Sequence, residues 1–363
     1  MAHLLVVLLR APFQTCAFLY VFIAQVVLVL LKRLLLPHFP IYQSLRLQVQ
    51  RAYLSSASLT YPELVHRLPV TTSEQRAQRV GNGNGNGNGW TGYLIPGHHD
   101  QDLRPFTQTP PDGSRCVVLY AHGGGYARGE ARMYIPYMER WVACAAEQGI
   151  LLLFLSVEYP LTSEAPHPAQ RDSFIKAYRH LLEVGVSPES IVFMGDSAGG
   201  GLCILSALEA EKQGLPQPAA SILISPWMDM SLRSFQGGNA LVETDYVATA
   251  NTSVPMFVRM FLGQGQSQHK GDSPDVNPLY RTPESLRYLN PQLVLVGAAE
   301  FTLQESKDWA ALCLKAGVEH ELVVEWGQLH VYALGSSFLD PEVRRKTDQK
   351  VVGWISRHIK SYT

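Results

Sequence analysis

From residue 116 onward, short apolar runs alternate with longer stretches in which apolar residues recur at helical spacing. The runs predict strands of a parallel sheet buried on both faces, because they lack the polar alternation of a half-exposed strand. Strands separated by helices predict a doubly wound, mostly parallel α/β sheet. The predicted strands are 116–121, 150–155, 191–194, 220–225, 293–297 and 321–325, and the predicted helices are 137–148, 169–183, 202–209, 304–316 and 341–359.

The alternation predicts one α/β domain over residues 90–363, and one segment interrupts it. Residues 234–290 are rich in Gly, Ser, Asn and Pro around an apolar helix near residues 255–262. Such a composition does not continue the alternation of strands and helices. We therefore interpret residues 234–290 as a helical lid inserted into the domain.

The amino-terminal segment has a different pattern, since residues 11–31 contain no charged residue. Arg10 precedes this run, and Lys32 and Arg33 follow it. About 20 mostly apolar residues are enough to cross a bilayer as a helix, so residues 1–37 predict a single-pass membrane anchor. The alternatives are a cleaved signal peptide, for which the apolar run is long, and a buried core helix.

Residues 38–89 separate the predicted anchor from the α/β domain. Residues 41–70 have apolar positions near helical spacing and predict one or two short helices, which either cover the site or only connect. Residues 81–89 form a Gly-Asn repeat that predicts a flexible surface loop. We assign the segment to cap helices followed by a linker.

Charge and residue content narrow the expected chemistry. The 30 Lys and Arg residues against 31 Asp and Glu give a formal net charge of −1, without a basic stripe, so nucleic acid is not an expected partner. The 5 cysteines show no C-x-x-C spacing and are expected to be buried free thiols. The 12 histidines show no metal-ligand spacing, so neither a metal nor another cofactor is expected.

The candidate chemistry centres on residues 191–201, Ile-Val-Phe-Met-Gly-Asp-Ser-Ala-Gly-Gly-Gly. A strand, a sharp turn and a helix around G-x-S-x-G make the nucleophile elbow, with Ser197 at its apex and Asp196 before it. Glycine is required at residues 195 and 199 for a steric reason, because a Cβ at either position would collide with the neighbouring strand or helix. Ser197 is therefore the candidate nucleophile.

An elbow serine needs a base and an acid that orients the base. His330 lies in the loop after the last predicted strand, at the sheet edge that also carries the elbow, and is the candidate base. Glu300 follows the preceding strand and is the candidate acid, with Glu305 as the alternative. The other downstream histidines are less well placed: His269, His320 and His358.

Besides a nucleophile, a base and an acid, the reaction needs backbone N–H groups that donate hydrogen bonds to the oxyanion. Gly123, Gly124 and Gly125 follow a predicted strand directly, and glycines allow a backbone to approach a substrate closely. Ala198, after the nucleophile, supplies a further donor. Which of the loop glycines contribute remains open, and His122, before them, is interpreted as a structural brace.

These motifs together resemble one family. The His-Gly-Gly-Gly of residues 122–125 and the Gly-Asp-Ser-Ala-Gly-Gly of residues 195–200 resemble the hormone-sensitive-lipase-like branch of the α/β-hydrolases. The resemblance covers about residues 110–363 and implies a serine ester hydrolase without a cofactor. Further matching segments are residues 157–161, 168–169 with Asp172, 225–229 and 329–332.

The chain departs from this family at the acid position. The family usually has Asp there, often followed by Pro-Leu, whereas this chain has Glu300-Phe301-Thr302-Leu303. Glutamate has the same chemistry on a longer side chain. The departure therefore concerns the geometry of the triad and leaves its mechanism unchanged.

The predicted anchor resembles the membrane-bound deacetylases of this branch, such as arylacetamide and steryl acetyl deacetylases. The resemblance implies a membrane-anchored serine carboxylesterase or deacetylase that hydrolyses short-chain or acetyl esters of apolar alcohols. An amidase or formamidase with the same triad is one alternative. A non-catalytic ligand-binding protein on the same fold is another.

The orientation in the membrane has two opposed indications. Lys32, Arg33, Arg46 and Arg51 after the predicted span, against Arg10 before it, favour a cytosolic domain. The resemblance implies a domain in the lumen of the endoplasmic reticulum. The Asn-Thr-Ser of residues 251–253 is a candidate glycosylation site at Asn251 that is usable only there, and we favour the lumen.

Overall fold

The computed structural model describes residues 11–35, 43–60, 73, 75–82, 89–97, 103–107, 114–233, 253–263 and 270–359. The helices are α1 (Pro12–Leu35), α2 (Leu45–Thr60), α3 (Ile135–Ala146), α4 (Ala169–Glu183), α5 (Ala198–Lys212), α6 (Ser253–Leu262), α7 (Leu303–Ala316) and α8 (Pro341–His358). The strands are β1 (Gln78–Gly81), β2 (Thr91–Ile95), β3 (Arg115–Ala121), β4 (Leu151–Val157), β5 (Ile191–Asp196), β6 (Ala220–Ile224), β7 (Gln292–Gly297) and β8 (His320–Glu325).

The strands form one 8-stranded sheet in the order β1-β2-β4-β3-β5-β6-β7-β8. Strands β3 to β8 are parallel, and β2 runs antiparallel to both β1 and β4. The prediction of a doubly wound, mostly parallel α/β sheet is confirmed. The carboxyl ends of the parallel strands meet at one edge, which therefore gathers the loops that follow β3, β5, β6, β7 and β8.

The edge hairpin β1–β2 is the part of the sheet that the sequence pattern did not predict. Gln78 pairs with Leu94 and Gly81 with Thr91, so the sheet begins before residue 90, the predicted start of the α/β domain. Strand β1 reads Gln-Arg-Val-Gly, which has no apolar run to signal it. Its pairing depends on a partner strand that lies beyond the Gly-Asn repeat, of which residues 83–88 fall outside the described residues.

Two apolar clusters cover the two faces of the sheet. Phe174 of α4, Leu202 of α5 and Trp309 of α7 belong to one cluster, whereas Trp141 of α3 and Trp354 of α8 belong to the other. Alternate residues of each central strand contribute to opposite clusters, as expected for a sheet buried on both faces. This double burial fixes the register of the strands whose ends carry the site.

All five cysteines are free, as predicted. Cys116, Cys203 and Cys313 are buried and Cys144 is intermediate, but Cys16 is exposed. The prediction of a buried thiol is therefore wrong for Cys16, because α1 leaves most of its surface uncovered.

Among the described residues, one helix, α1, is long and apolar enough to cross a membrane, with a mean hydropathy of 2.2 in its most apolar window and 6% of that window buried. Such exposure argues against the alternative of a buried core helix. A narrow stripe of α1 packs on α2, where the rings of Phe18 and Phe22 lie 5.5 and 6.0 Å from that of Tyr53.

The predicted lid is described in part. Helix α6 occupies residues 253–262, close to the predicted apolar helix, and short 3-10 turns follow at Pro278–Tyr280 and Pro283–Leu286. Residues 234–252 and 264–269, including the candidate glycosylation site Asn251, lie outside the described residues.

Candidate active site

Ser197 occupies the apex of a sharp turn between β5 and α5. Its backbone angles, φ 52° and ψ −121°, lie in a region that L-residues rarely adopt, and the surrounding contacts hold it there. A Cβ at Gly195 would collide with the backbone of Gly199, and a Cβ at Gly199 would collide with the backbone of Ala121. These close approaches explain both glycines of the elbow.

The three residues predicted as nucleophile, base and acid lie in hydrogen-bond contact. His330 Nε2 lies 2.9 Å from Ser197 Oγ, and His330 Nδ1 lies 2.6 Å from Glu300 Oε2. All three are buried, and they follow β5, β8 and β7 respectively at the carboxyl edge of the sheet. The ring can therefore accept the serine proton at Nε2 while Glu300 holds its opposite N–H.

Glu300 is held by more than the histidine. Its Oε1 accepts a hydrogen bond from Ser225 Oγ at 2.8 Å and a short one from the Gly297 backbone N–H, and its Oε2 accepts from Thr302 Oγ1 at 3.1 Å. These donors satisfy a carboxylate that is completely buried. They also fix the longer glutamate side chain, which stands where the resembling family has aspartate.

Ser225 is a residue that the sequence interpretation did not single out. It accepts a hydrogen bond from the Val331 N–H at 2.9 Å while it donates to Glu300. One hydroxyl therefore joins the acid to the backbone beside His330. Its position directly after β6, at the same edge as the elbow, is a signal that could have identified it.

The alternative acid, Glu305, faces elsewhere. It lies on α7, and its Oε2 accepts the backbone N–H groups of Met228 and Asp229 at 2.8 and 3.0 Å. Glu305 therefore braces the loop after β6, while Glu300 is the carboxylate at the histidine.

The loop glycines are not equivalent. The Gly123 N–H donates to Asp196 Oδ1 at 2.9 Å, so this amide is already engaged. Gly124 and Gly125 have positive φ values of 109° and 63°, and their N–H groups have no acceptor among the described residues. Ala198 N–H opens helix α5, whose amino end favours negative charge. Gly124, Gly125 and Ala198 are the remaining candidate donors.

Asp196 connects the elbow to the glycine loop. Besides Gly123 N–H, it accepts the hydroxyls of Tyr120 at 2.7 Å and Tyr134 at 3.1 Å. Complete burial raises the pKa of Asp196 to about 6, although the hydrogen bonds from the two tyrosines and Gly123 act in the opposite direction. The charge of His330 also acts to lower this pKa, while the hydrogen bonds of the carboxyl go to the glycine loop and to the two tyrosines.

His122 is buried beneath the loop. Its ring stacks on that of Tyr159 with centroids 4.3 Å apart, and Tyr159 donates its hydroxyl hydrogen to the His122 carbonyl oxygen at 2.6 Å. These contacts fit the bracing role predicted for it.

An apolar wall from α6 covers the glycine loop. A Cβ on Gly125 would collide with the ring of Phe257, which is itself stacked below the Arg128 guanidinium at 4.9 Å from the ring centroid. Phe261 of the same helix stacks on Tyr126, with centroids 4.2 Å apart. Aromatic side chains of α6 therefore pack against the loop that carries the candidate oxyanion donors.

The fold and this site define an α/β hydrolase with a serine elbow. A family model described as alpha/beta hydrolase fold matches residues 118–334. The chain therefore belongs to the α/β-hydrolase fold family, and its relatives place it among the hormone-sensitive-lipase-like esterases.

The relatives agree in the class of reaction. An acetyl-hydrolase of Streptomyces hygroscopicus is 30% identical over 230 residues, 63% of this chain and 72% of the relative. Esterase LipU of Mycobacterium tuberculosis is 28% identical over 254 residues, 69% of this chain and 81% of the relative. A solved hormone-sensitive lipase from a metagenome library superposes with a TM-score of 0.62 at 25% identity. The superposition covers 91% of this chain and 97% of the lipase chain. The chain is a carboxylic ester hydrolase.

Proposed function

We propose that this chain is a membrane-anchored serine carboxylesterase or deacetylase for short-chain or acetyl esters of apolar alcohols. The observation that carries the proposal is the continuous contact from Ser197 Oγ through the His330 ring to Glu300, at 2.9 and 2.6 Å. A serine, histidine and carboxylate in this order are the parts that acyl transfer requires.

In the proposed reaction Ser197 Oγ attacks the acyl carbon while its proton passes to His330 Nε2. The resulting oxyanion accepts hydrogen bonds from the N–H groups of Gly124, Gly125 and Ala198, of which each contributes about 3–4 kcal/mol to transition-state stabilisation. The C–O bond to the alcohol then breaks, and His330 returns the proton to the leaving oxygen. A water molecule, deprotonated by His330, then attacks the acyl carbon. His330 returns this proton to Ser197 Oγ as its bond to the acyl group breaks and the acid is released.

Two features favour a short acyl group and an apolar alcohol. Phe257 lies directly over Gly125, so the space beside the proposed oxyanion site is small. Further aromatic rings lie on the same helix and loop, where Phe261 of α6 stacks on Tyr126. A relative named acetyl-hydrolase is consistent with this size limit.

Active-site labelling and substrate comparison test the proposal. Wild type should react with a fluorophosphonate probe and hydrolyse acetyl esters. Ser197→Ala should lose labelling and at least about 10⁴-fold in kcat. Ser206→Ala, a buried serine on α5 away from His330, is the matched control and should keep both. Faster cleavage of N-acyl analogues than of esters would indicate an amidase instead, and an unlabelled wild type would indicate a ligand-binding protein.

We further propose that α1 anchors the protein in the endoplasmic-reticulum membrane with the hydrolase domain in the lumen. The length and exposure of α1 support an anchor. The sequon at Asn251 supports the lumenal side.

A further inference from the structure

The carboxyl end of α1 is tied to the loop that carries His330 by a single residue, Gln43. Arg33, in the last turn of α1, donates from Nη2 to the Gln43 carbonyl oxygen at 3.1 Å. The Gln43 side chain donates from Nε2 to the Gly327 carbonyl oxygen at 2.8 Å. Gly327 lies between β8 and His330, so the end of the apolar helix and the histidine loop meet at this point.

Helix α2 contacts the chain on the far side of His330. The Arg46 guanidinium donates to the Ser337 carbonyl oxygen and lies 6.0 Å from the centroid of the Phe338 ring. Gln50 Nε2 lies 3.4 Å from Ser336 Oγ. Both flanks of the histidine loop are therefore connected to the helix pair that begins with the proposed anchor.

The two flanks present large aromatic side chains to the outside. Trp326, which precedes Gly327, is 66% exposed, and Phe338 is 42% exposed. The other 5 of the 6 tryptophans, Trp90, Trp141, Trp227, Trp309 and Trp354, are at most 5% exposed. Trp326 is thus the exception among the tryptophans of this chain.

Aromatic and basic side chains beside an apolar helix end are the composition of a membrane interface. Tryptophan is enriched at the level of the lipid headgroups, where its ring has an apolar body and a polar N–H. Lysine and arginine keep their stems in apolar surroundings and their charges near phosphate. Lys32 and Arg33 at the end of α1, with Arg46 over Phe338, supply these charges.

We propose that the surface formed by Trp326, Phe338 and Arg46 is a second membrane contact, which holds the mouth of the active site against a phospholipid bilayer. The enzyme would then take its apolar esters directly from the lipid phase. This inference rests on the proposed attachment through α1. A bilayer is the occupant because Leu34 and Leu35 of α1, both exposed, directly follow Arg33, whose guanidinium is bonded to Gln43 beside the histidine loop.

The opposite edge of the sheet provides matched controls. Tyr288, which precedes β7, is 60% exposed, and Leu314, near the end of α7, is 71% exposed. Both lie where the chain enters parallel strands, whereas Trp326 lies where the chain leaves one. Substitution of either control should therefore leave a contact at the active-site edge unchanged.

Tryptophan fluorescence tests the contact directly. The full chain is reconstituted into phosphatidylcholine vesicles whose acyl chains carry bromine, a quencher that acts only at short range. Because the other tryptophans are buried, we expect quenching in wild type and in Tyr288→Ala and its loss in Trp326→Phe. Wild type that floats with the vesicles but shows no quenching, or quenching that persists in Trp326→Phe, would overturn the proposal.

Turnover then tests the consequence for substrate entry. Trp326→Ala should keep its activity toward a water-soluble acetyl ester and lose roughly three- to tenfold toward a long-chain alkyl acetate dissolved in the vesicles. Leu314→Ala should lose neither. Equal losses on both esters would assign Trp326 to loop folding and would overturn the inference. Wild type that hydrolyses no soluble ester would contradict the proposed function, while the quenching result is read independently of turnover.

Discussion

At the scale of single residues, hydrogen-bond partners separate two buried glutamates, of which the sequence favours Glu300 as the acid and leaves Glu305 as the alternative. Glu300 is bonded to His330 Nδ1, whereas Glu305 is bonded to two backbone amides of the loop after β6. The two side chains therefore have different expected effects on catalysis.

Glu300→Gln should lower kcat by about 10³–10⁴-fold, because an amide in this position favours the wrong tautomer of His330 and does not stabilise the imidazolium. Glu305→Gln is the matched control and should keep kcat within a few-fold, since its oxygen can still accept the Met228 and Asp229 N–H groups. Steady-state kinetics on an acetyl ester would measure both. Comparable losses in the two variants would contradict the assignment of the acid.

Ser225 is a positioning residue whose effect should appear in kcat. Ser225→Ala removes the hydrogen bond to Glu300 Oε1 and the acceptor of Val331 N–H, so we expect a loss of about tenfold in kcat with KM nearly unchanged. Ser221→Ala, on β6 itself, removes an acceptor of the buried Asn290 amide and serves as a stability control without contact to the triad. A change confined to KM would argue against positioning.

Asp196 makes stability depend on pH in a predictable direction. Its pKa of about 6 in the folded chain lies above the ordinary value of 3.8, so the folded state binds the proton more tightly. The stability linked to this group is fully present below about pH 4 and is lost as pH rises through about 6. Relative to Asp196→Asn, the wild-type free energy of unfolding should fall by up to about 3 kcal/mol between pH 4 and pH 7, as measured by denaturant titration in detergent. A pH-independent difference would contradict the raised pKa.

At the scale of elements, the glycine loop is shaped by the helix packed over it. Gly125 combines a positive φ with the ring of Phe257 where a Cβ would stand, so α6 and the loop share one arrangement. A change in the loop must therefore displace either a candidate oxyanion donor or the aromatic wall.

Gly125→Ala should lower kcat by about 10²–10³-fold, because the new methyl displaces the loop amides from the oxyanion. Gly149→Ala is the matched control, since Gly149 also has a positive φ of 74° but open space around its Cβ position. It should cost only about 1 kcal/mol of stability and leave kcat unchanged. Kinetics and thermal unfolding of both variants separate strain from steric displacement, and equal kcat values would contradict the role of the loop.

At the scale of the whole molecule, exposed large apolar side chains of the described residues concentrate on α1, between Phe13 and Leu35. A contiguous exposed apolar patch marks a site of interaction with a partner or a membrane. Helix α1 is joined to the enzyme body by α2 and Gln43, so the proposed anchor and the active-site edge belong to one connected unit.

The protein should therefore stay in the membrane pellet after alkaline carbonate extraction and keep its amino-terminal residues. It should also gain an endoglycosidase-sensitive mass that disappears in Asn251→Gln. A soluble product that begins after the apolar run would identify a cleaved signal peptide. Resistance of the mass to endoglycosidase would remove the support for a lumenal domain.

The sequence by itself determined the order and type of the main elements, including α4 at residues 169–183, because their apolar periods are local properties of the chain. It also identified the strand, turn and helix around Ser197 and the glycine loop, whose residue types follow from local backbone requirements.

The tertiary structure alone decided which contacts these residues make. It bonded Glu300 to His330 and Glu305 to the loop after β6, and it engaged Gly123 with Asp196. It also placed Ser225 between the acid and the histidine loop and paired β1 with β2. Each of these contacts joins groups whose distances depend on how separate strand ends and loops meet after the chain has closed. No periodic pattern in the sequence encodes such distances, since they result from the packing of the complete sheet and its helices.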